Sequence, residues 1–372
     1  MKVGIMSMQR IANYGSFLQA YALKQMIEEL GHEVQFVDYH VEPAVIQSNT
    51  DSKNKVIRKL QKGFEAFTYH APLTHKIAFI KYKQSFAHKY LPLLGISDQM
   101  HYLPKLDCLV IGSDEVFNCI QKNSNVGYSL ELFGKNNCAD KLITYAASFG
   151  NTTIQKLEQY GKRKEIEECL KKFDAISVRD KNSGTIVHEL TGKEPYYHLD
   201  PVLAYDYVNC CDKIPDIQVK EKYIIVYAYA GRISDEEADW IQAYARKRGL
   251  KIYAIGGIQK CADQFIDCSP FEVLAYFKNA EEVITDTFHG TIFSIIAHRR
   301  FTTLVRRSVG NNYGNEEKLV DLLNRMNLID RITEEIMDSE KINAREINYN
   351  KVDECIYGQR LYTKQFLEKN LC

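Results

Sequence analysis

The chain has 372 residues, with 48 basic and 48 acidic side chains, 45% hydrophobic residues and 26% charged ones. That length predicts two domains, and the balanced charge argues against a protein held to nucleic acid through its phosphates. Ten cysteines are scattered without a CxxC pair, and adjacent Cys210–Cys211 is poor disulfide geometry, so free thiols in a reducing compartment are expected.

In chain order, Val3–Ser7 reads as a short apolar strand, too brief for a signal-peptide core. No stretch of about 18 uncharged apolar residues follows anywhere, so no spanning helix is expected and a cytoplasmic location is. Met8–Gly15 is a polar loop, and Phe17, Leu18, Tyr21, Ala22, Gln25 and Met26 then repeat at helical spacing up to a cap at Gly31. Further strands are predicted at Val34–Tyr39, Asp107–Ser113, Leu142–Ser148 and Ala175–Arg179. Apolar strands separated by helices point to a parallel sheet with right-handed crossovers.

One insertion, at about 50–95, departs from this pattern. Between Lys53 and Lys89 lie nine Lys or Arg residues and the single acid Glu65, interleaved with Phe64, Phe67, Phe79, Tyr82 and Phe86. It is either a helical insertion with a solvated basic face, or a face that meets an anionic membrane surface or an acceptor carrying diphosphate.

A second α/β set opens at Tyr223–Tyr229, with further strands at Lys251–Ile255, Glu282–Asp286 and Thr302–Val305. Ser234–Glu237 and Ser269–Glu272 are capping boxes, the second with proline at the first helical position. The polar stretch 205–222, carrying Pro215, divides the chain into domains at 1–210 and 211–372.

Ligands in such sheets sit beyond the carboxyl ends of the strands. After the first strand, Asn13-Tyr14-Gly15-Ser16 enters a helix, which is either an anion nest or only a turn. After the third, Gly112-Ser113-Asp114 offers Asp114 as a general base or as a helix N-cap. Asp286-Thr287-Phe288-His289-Gly290-Thr291 joins a strand to an apolar helix and places a titratable donor beside free backbone N–H groups, a pocket for phosphate or carboxylate, or else a capping histidine. Arg179 is either a fork for a carboxylate or the partner of Asp180 in a surface ion pair. Asp200–Pro201 is read as a turn into the interdomain linker. HExxH, paired CxxC and DxD-like signatures are lacking, so no metal site is indicated, and the lack of a GxSxG elbow removes the common hydrolase.

Taken together, these segments resemble the polysaccharide pyruvyl transferases. The resemblance rests on Asn13 to Leu23, Val110 to Asn118, Tyr145 to Gly150, Ile176 to Asp180, Leu199 to Pro201 and Thr285 to Ser294, in family order over about residues 1–330. The family commonly has tryptophan where Phe117 stands and serine where Thr287 stands. The resemblance implies a glycosyltransferase-B-like α/β fold, two Rossmann-like domains with parallel sheets facing across a cleft, the last helix crossing back to the first lobe. It implies transfer of the enolpyruvyl group of phosphoenolpyruvate to a sugar of a bacterial exopolysaccharide or its precursor, with no cofactor. The acceptor would be a glycan or a lipid-linked oligosaccharide, met at the inner face of the membrane if the basic insertion binds there. On the family pattern Arg179 and His289 would bind the donor. For that reaction the residues read above offer His289 as acid or as phosphate clamp, and Asp114 as acceptor of the sugar proton. Two other readings stay open: a nucleotide-sugar glycosyltransferase on the same fold, and a non-catalytic glycan-binding relative.

Overall fold

Lys2–Met6 (β1) carries one exposed lysine and then four buried residues, the pattern of a strand covered on both faces. In this computed structural model, which describes residues 1–46, 66–102, 104–121, 123, 125–307 and 316–372, β1 leads into helix α1 (Tyr14–Glu28). Next come β2 (Glu33–Phe36), helix α2 (Leu73–Tyr90), β3 (Leu106–Asp114), β4 (Ala139–Ala147), β5 (Ser177–Val178), helix α3 (Lys181–Thr191) and β6 (Tyr196–Tyr197). The second half follows as β7 (Tyr223–Tyr227), α4 (Asp235–Arg248), β8 (Lys251–Ile255), β9 (Gln264–Phe265), α5 (Pro270–Asn279), β10 (Glu282–Thr285), α6 (Phe288–Ile296), β11 (Arg300–Leu304), α7 (Glu316–Arg325), β12 (Ile332–Thr333) and α8 (Tyr349–Asn370). The expected strands form within a few residues of their predicted ends. The two-residue edge strands β6, β9 and β12 were not foreseen, because two residues carry no periodicity.

The strands build two six-stranded sheets, ordered β2-β1-β3-β4-β5-β6 and β12-β11-β10-β7-β8-β9. All the pairings within both sheets are parallel. The winding reverses between β1 and β3 in one sheet and between β7 and β10 in the other, which opens a crevice at the carboxyl ends of those four strands. Both predicted capping boxes form, Ser234 with Glu237 and Ser269 with Glu272.

Aromatic packing joins the halves. On α1, Tyr21 meets Phe271 of α5 edge-on with ring centroids 5.0 Å apart. Helix α8 returns to the first lobe, where the Thr363 hydroxyl lies 3.2 Å from that of Tyr145 and the Phe366 ring lies 4.6 Å from that of His198. This is the glycosyltransferase-B-like arrangement. No helix among the described residues is long and apolar enough to cross a membrane, and all ten cysteines are free.

Residues 53–65 of the basic insertion lie outside the described residues. On α2, Tyr82 and Phe86 are buried, and the Phe79 and Tyr82 rings pack on Phe265 of the second lobe. These aromatic residues bridge the two lobes, whereas Lys81 and Lys89 stay exposed.

Candidate functional site

The residues beyond β1, β3, β7 and β10 converge on a cleft of about 640 Å³ between the lobes, lined among others by Asn13, Asp114, Arg179, Arg232, Asp286 and His289. That volume suits a small ligand of a few charged groups.

At its first-lobe wall lies Arg179, just beyond β5, with a side chain only 2% exposed. Its Nη1 donates to Asp200 Oδ2 at 2.9 Å and its Nη2 to Asp114 Oδ1 at 3.1 Å. The guanidinium also lies 4.6 Å over the Phe288 ring of the second lobe. Burial works against its charge, but Asp114 and Asp200 outweigh burial and raise its pKa. One sequence expectation is corrected here. Arg179 is no surface partner of Asp180, whose carboxylate instead caps α3 at Ser183 N–H and accepts from the Ser148 hydroxyl. The two aspartates take one N–H each of Nη1 and Nη2, while its buried Nε has no hydrogen-bond partner among the described residues.

Asp200 is also corrected. Read as a turn residue, it is fully buried at the centre of the cluster, and its second oxygen caps the short helix after it at Val202 N–H. Burial would raise its pKa, yet His289 and Arg179 hold it below the ordinary carboxylate value, so Asp200 is an anion at neutral pH. Asp114 is not a helix cap, because no helix follows β3. Its Oδ2 accepts from the Ser16 hydroxyl at 3.1 Å, and its backbone sits at a φ of 77°, a left-handed conformation that costs a non-glycine residue and persists only where the surroundings enforce it.

His289 comes from the other lobe. Its Nε2 stands 3.7 Å from Asp200 Oδ2, within ion-pair range but too long for a hydrogen bond. Among the described residues that nitrogen has no hydrogen-bond partner. Thr287 caps α6 by accepting from Gly290 N–H, and Thr287, Phe288 and His289 line the cleft at the start of that helix. One buried charge cluster thus spans both lobes, in the order Asp114–Arg179–Asp200–His289.

The other expected site residues divide. Asn13, Asp286 and Thr287 line the cleft. The Asn13 side chain caps α1 by accepting from Gly15 and Ser16 N–H, so most of the predicted anion nest there is already occupied. Tyr14 is a strut between lobes, its hydroxyl donating to Cys268 O at 2.8 Å. Ser113 is buried and donates to Gln19 Oε1, and a Cβ at Gly112 would strike the Tyr145 carbonyl. Gly290 packs on Thr285, Thr287 and Tyr227. Thr291 is buried, with its hydroxyl paired to Thr287 O and Thr303 behind the cleft. Asp286 has Arg232 Nη1 at 3.7 Å, and burial pushes its pKa up. Arg232, Tyr229 and Lys318, which the sequence reading missed, line the cleft from the second lobe.

Gly15 has a role beyond a turn. A Cβ there would overlap the His289 imidazole, so the glycine is what lets α1 close onto that ring. Gly15→Ala is expected to displace the ring and to lower turnover about 100-fold. The overpacked lobe interface should cost about 1–3 kcal/mol. Steady-state rates and urea unfolding read the two effects separately.

A family model described as polysaccharide pyruvyl transferase matches residues 13–308, most of the chain. No curated protein matches. Among solved structures, the chain is similar to an O-GlcNAc transferase mutant of Thermobaculum terrenum, at 11% identity and a TM-score of 0.45, covering 100% of this chain and 66% of that one. It is similar to the UDP-GlcNAc 2-epimerase of Methanocaldococcus jannaschii in complex with UDP-GlcNAc and UDP, at 11% identity and a TM-score of 0.45, covering 98% and 99% of the two chains. A third likeness is to MnaA of S. aureus with UDP, at 10% identity and a TM-score of 0.46, covering 96% and 90%. None of these three likenesses bears on the chemistry.

Proposed function

The chain belongs to the polysaccharide pyruvyl transferase family, and from that premise we propose that it moves the enolpyruvyl group of phosphoenolpyruvate onto a glycan or lipid-linked oligosaccharide of a bacterial polysaccharide pathway, closing a pyruvate ketal. The observation that carries this reading is the charge cluster shared between lobes. Arg179, Asp114 and Asp200 are fixed on one side, and His289 Nε2 reaches them from the other without a hydrogen-bond partner of its own among the described residues.

In this reading His289 delivers a proton to C3 of the enol, which becomes a methyl group and leaves C2 electron-poor. One sugar hydroxyl adds at C2 and gives up its proton to Asp114. A second hydroxyl of the same sugar then takes the place of phosphate at C2, and its proton leaves with the departing phosphate as hydrogen phosphate. Donor plus diol yields ketal plus phosphate, so no cofactor is required. Asp200 places a negative charge beside the imidazole, 3.7 Å from Nε2. Arg179 holds Asp200 and Asp114 in place, donating from Nη1 to one and from Nη2 to the other. Closure of Gly15 onto His289 brings the two walls together and excludes water from the donor.

Phosphoenolpyruvate is expected to raise the melting midpoint while UDP leaves it unchanged, because a ligand that binds only the folded state stabilises it. A midpoint that rises with UDP and not with phosphoenolpyruvate would mean a nucleotide-sugar transferase on this fold.

A further inference from the structure

We propose that Arg232, braced on Tyr229 in the second lobe, is the cation that takes the donor's phosphate. This rests on the reading above that the donor is phosphoenolpyruvate.

Consider which cleft cations are already committed. Arg179 is held by two carboxylates at 2.9 and 3.1 Å. Lys318 Nζ lies 3.0 Å from Glu115 Oε1, and Lys83 Nζ donates to the Ala12 carbonyl at 2.9 Å. Arg232 differs from all three. Its guanidinium lies 4.6 Å over the Tyr229 ring, and the Asp286 oxygen near it is 3.7 Å away, beyond hydrogen-bond distance. With a side chain 31% exposed, it lines the same cleft as His289 and Arg179.

Stacking on a ring uses the face of a guanidinium and leaves the N–H groups at its edge to grip an oxyanion two at a time. The brace also lowers the entropy lost when the ligand arrives, since Tyr229 already limits the side chain's freedom.

Charge then decides which end of the donor comes here. A phosphate monoester carries about −1.5 to −2 charges at neutral pH, more than a carboxylate. The first-lobe wall holds two aspartates around one arginine, so a dianion is least welcome there. The second lobe offers Arg232 together with the N-terminal end of α6, whose positive end favours anions, and burial works against the charge of Asp286 beside them. With phosphate on that side, the rest of the donor extends into the cleft that His289, Asp114 and Arg179 also line.

The test is calorimetric titration of wild type, R232A and R232K with phosphoenolpyruvate, inorganic phosphate and pyruvate. R232A is expected to weaken phosphoenolpyruvate binding roughly 10- to 100-fold, the loss of hydrogen bonds to a charged group. R232K should recover only part of it, because lysine keeps the charge but not the fork. Inorganic phosphate should weaken in step, and pyruvate should bind both proteins alike. If R232A binds phosphoenolpyruvate as wild type does, or if pyruvate weakens with it, the phosphate subsite is overturned while the donor reading stands. A wild-type protein that binds neither phosphoenolpyruvate nor phosphate overturns the donor reading and the subsite with it.

Discussion

Replacing His289 by alanine is expected to lower turnover by about 10²–10⁴-fold while leaving the fold intact. The size follows from the role of a positioned acid: protonating an enol carbon from bulk water at neutral pH is slow, and a fixed donor removes that barrier. The fold should survive because the His289 side chain is 11% exposed, lines the cleft and has no hydrogen bond from Nε2 to any described residue. The substitution also separates two roles. A histidine acting as acid loses turnover with donor affinity nearly unchanged, whereas one acting as a clamp on the donor loses affinity in proportion. Measuring donor affinity by calorimetry beside the single-turnover rate tells them apart. Full turnover in the alanine variant would remove His289 from the chemistry altogether.

Much of the fold was legible because it repeats a simple rule. Apolar runs such as Tyr223–Tyr227 and Lys251–Ile255, each followed by a capped helix, leave few alternatives to parallel sheets. The order of motifs along the chain also pointed to His289, Asp114 and Arg179. What the sequence hid was how they are joined. Asp200 precedes a proline and looks like any turn residue, and nothing local tells that its carboxylate lies between Arg179 and His289, 21 residues away from one and in the opposite lobe from the other. Arg232 stands in a polar loop after β7 with no motif around it, and only the approach of two sheets gives it a role. Gly15 looked like a turn former for the same reason: its requirement comes from the His289 ring pressed against it, a long-range contact that no window of sequence contains.

The same hidden join sets the second large effect. Asp200→Asn is expected to cost about 3–5 kcal/mol of stability at pH 7, because it leaves a fully buried arginine with one of its two carboxylates. The asparagine fills the space but supplies no charge, and Arg179 has no route to solvent at 2% exposure. The pH dependence follows from the sign of the shift. The folded pKa of Asp200 lies below its ordinary value of 3.8, so its contribution is complete above that value and is lost as pH falls through the lowered folded value. The gap between wild type and Asp200→Asn, measured by urea unfolding, should therefore be full at pH 7 and narrow progressively below about pH 4. A gap that stays constant down to acid pH would mean that packing rather than charge is what the asparagine disturbs. Adding Arg179→Met to the variant removes the stranded cation and leaves Asp114, which is 14% exposed and can be hydrated. The double variant should regain much of the lost stability, since a buried pair can be exchanged for apolar groups at little net cost. It should not regain turnover, because His289 would still face no anion. Stability that returns without activity would place the worth of this cluster in orienting the histidine, and not in holding the lobes together.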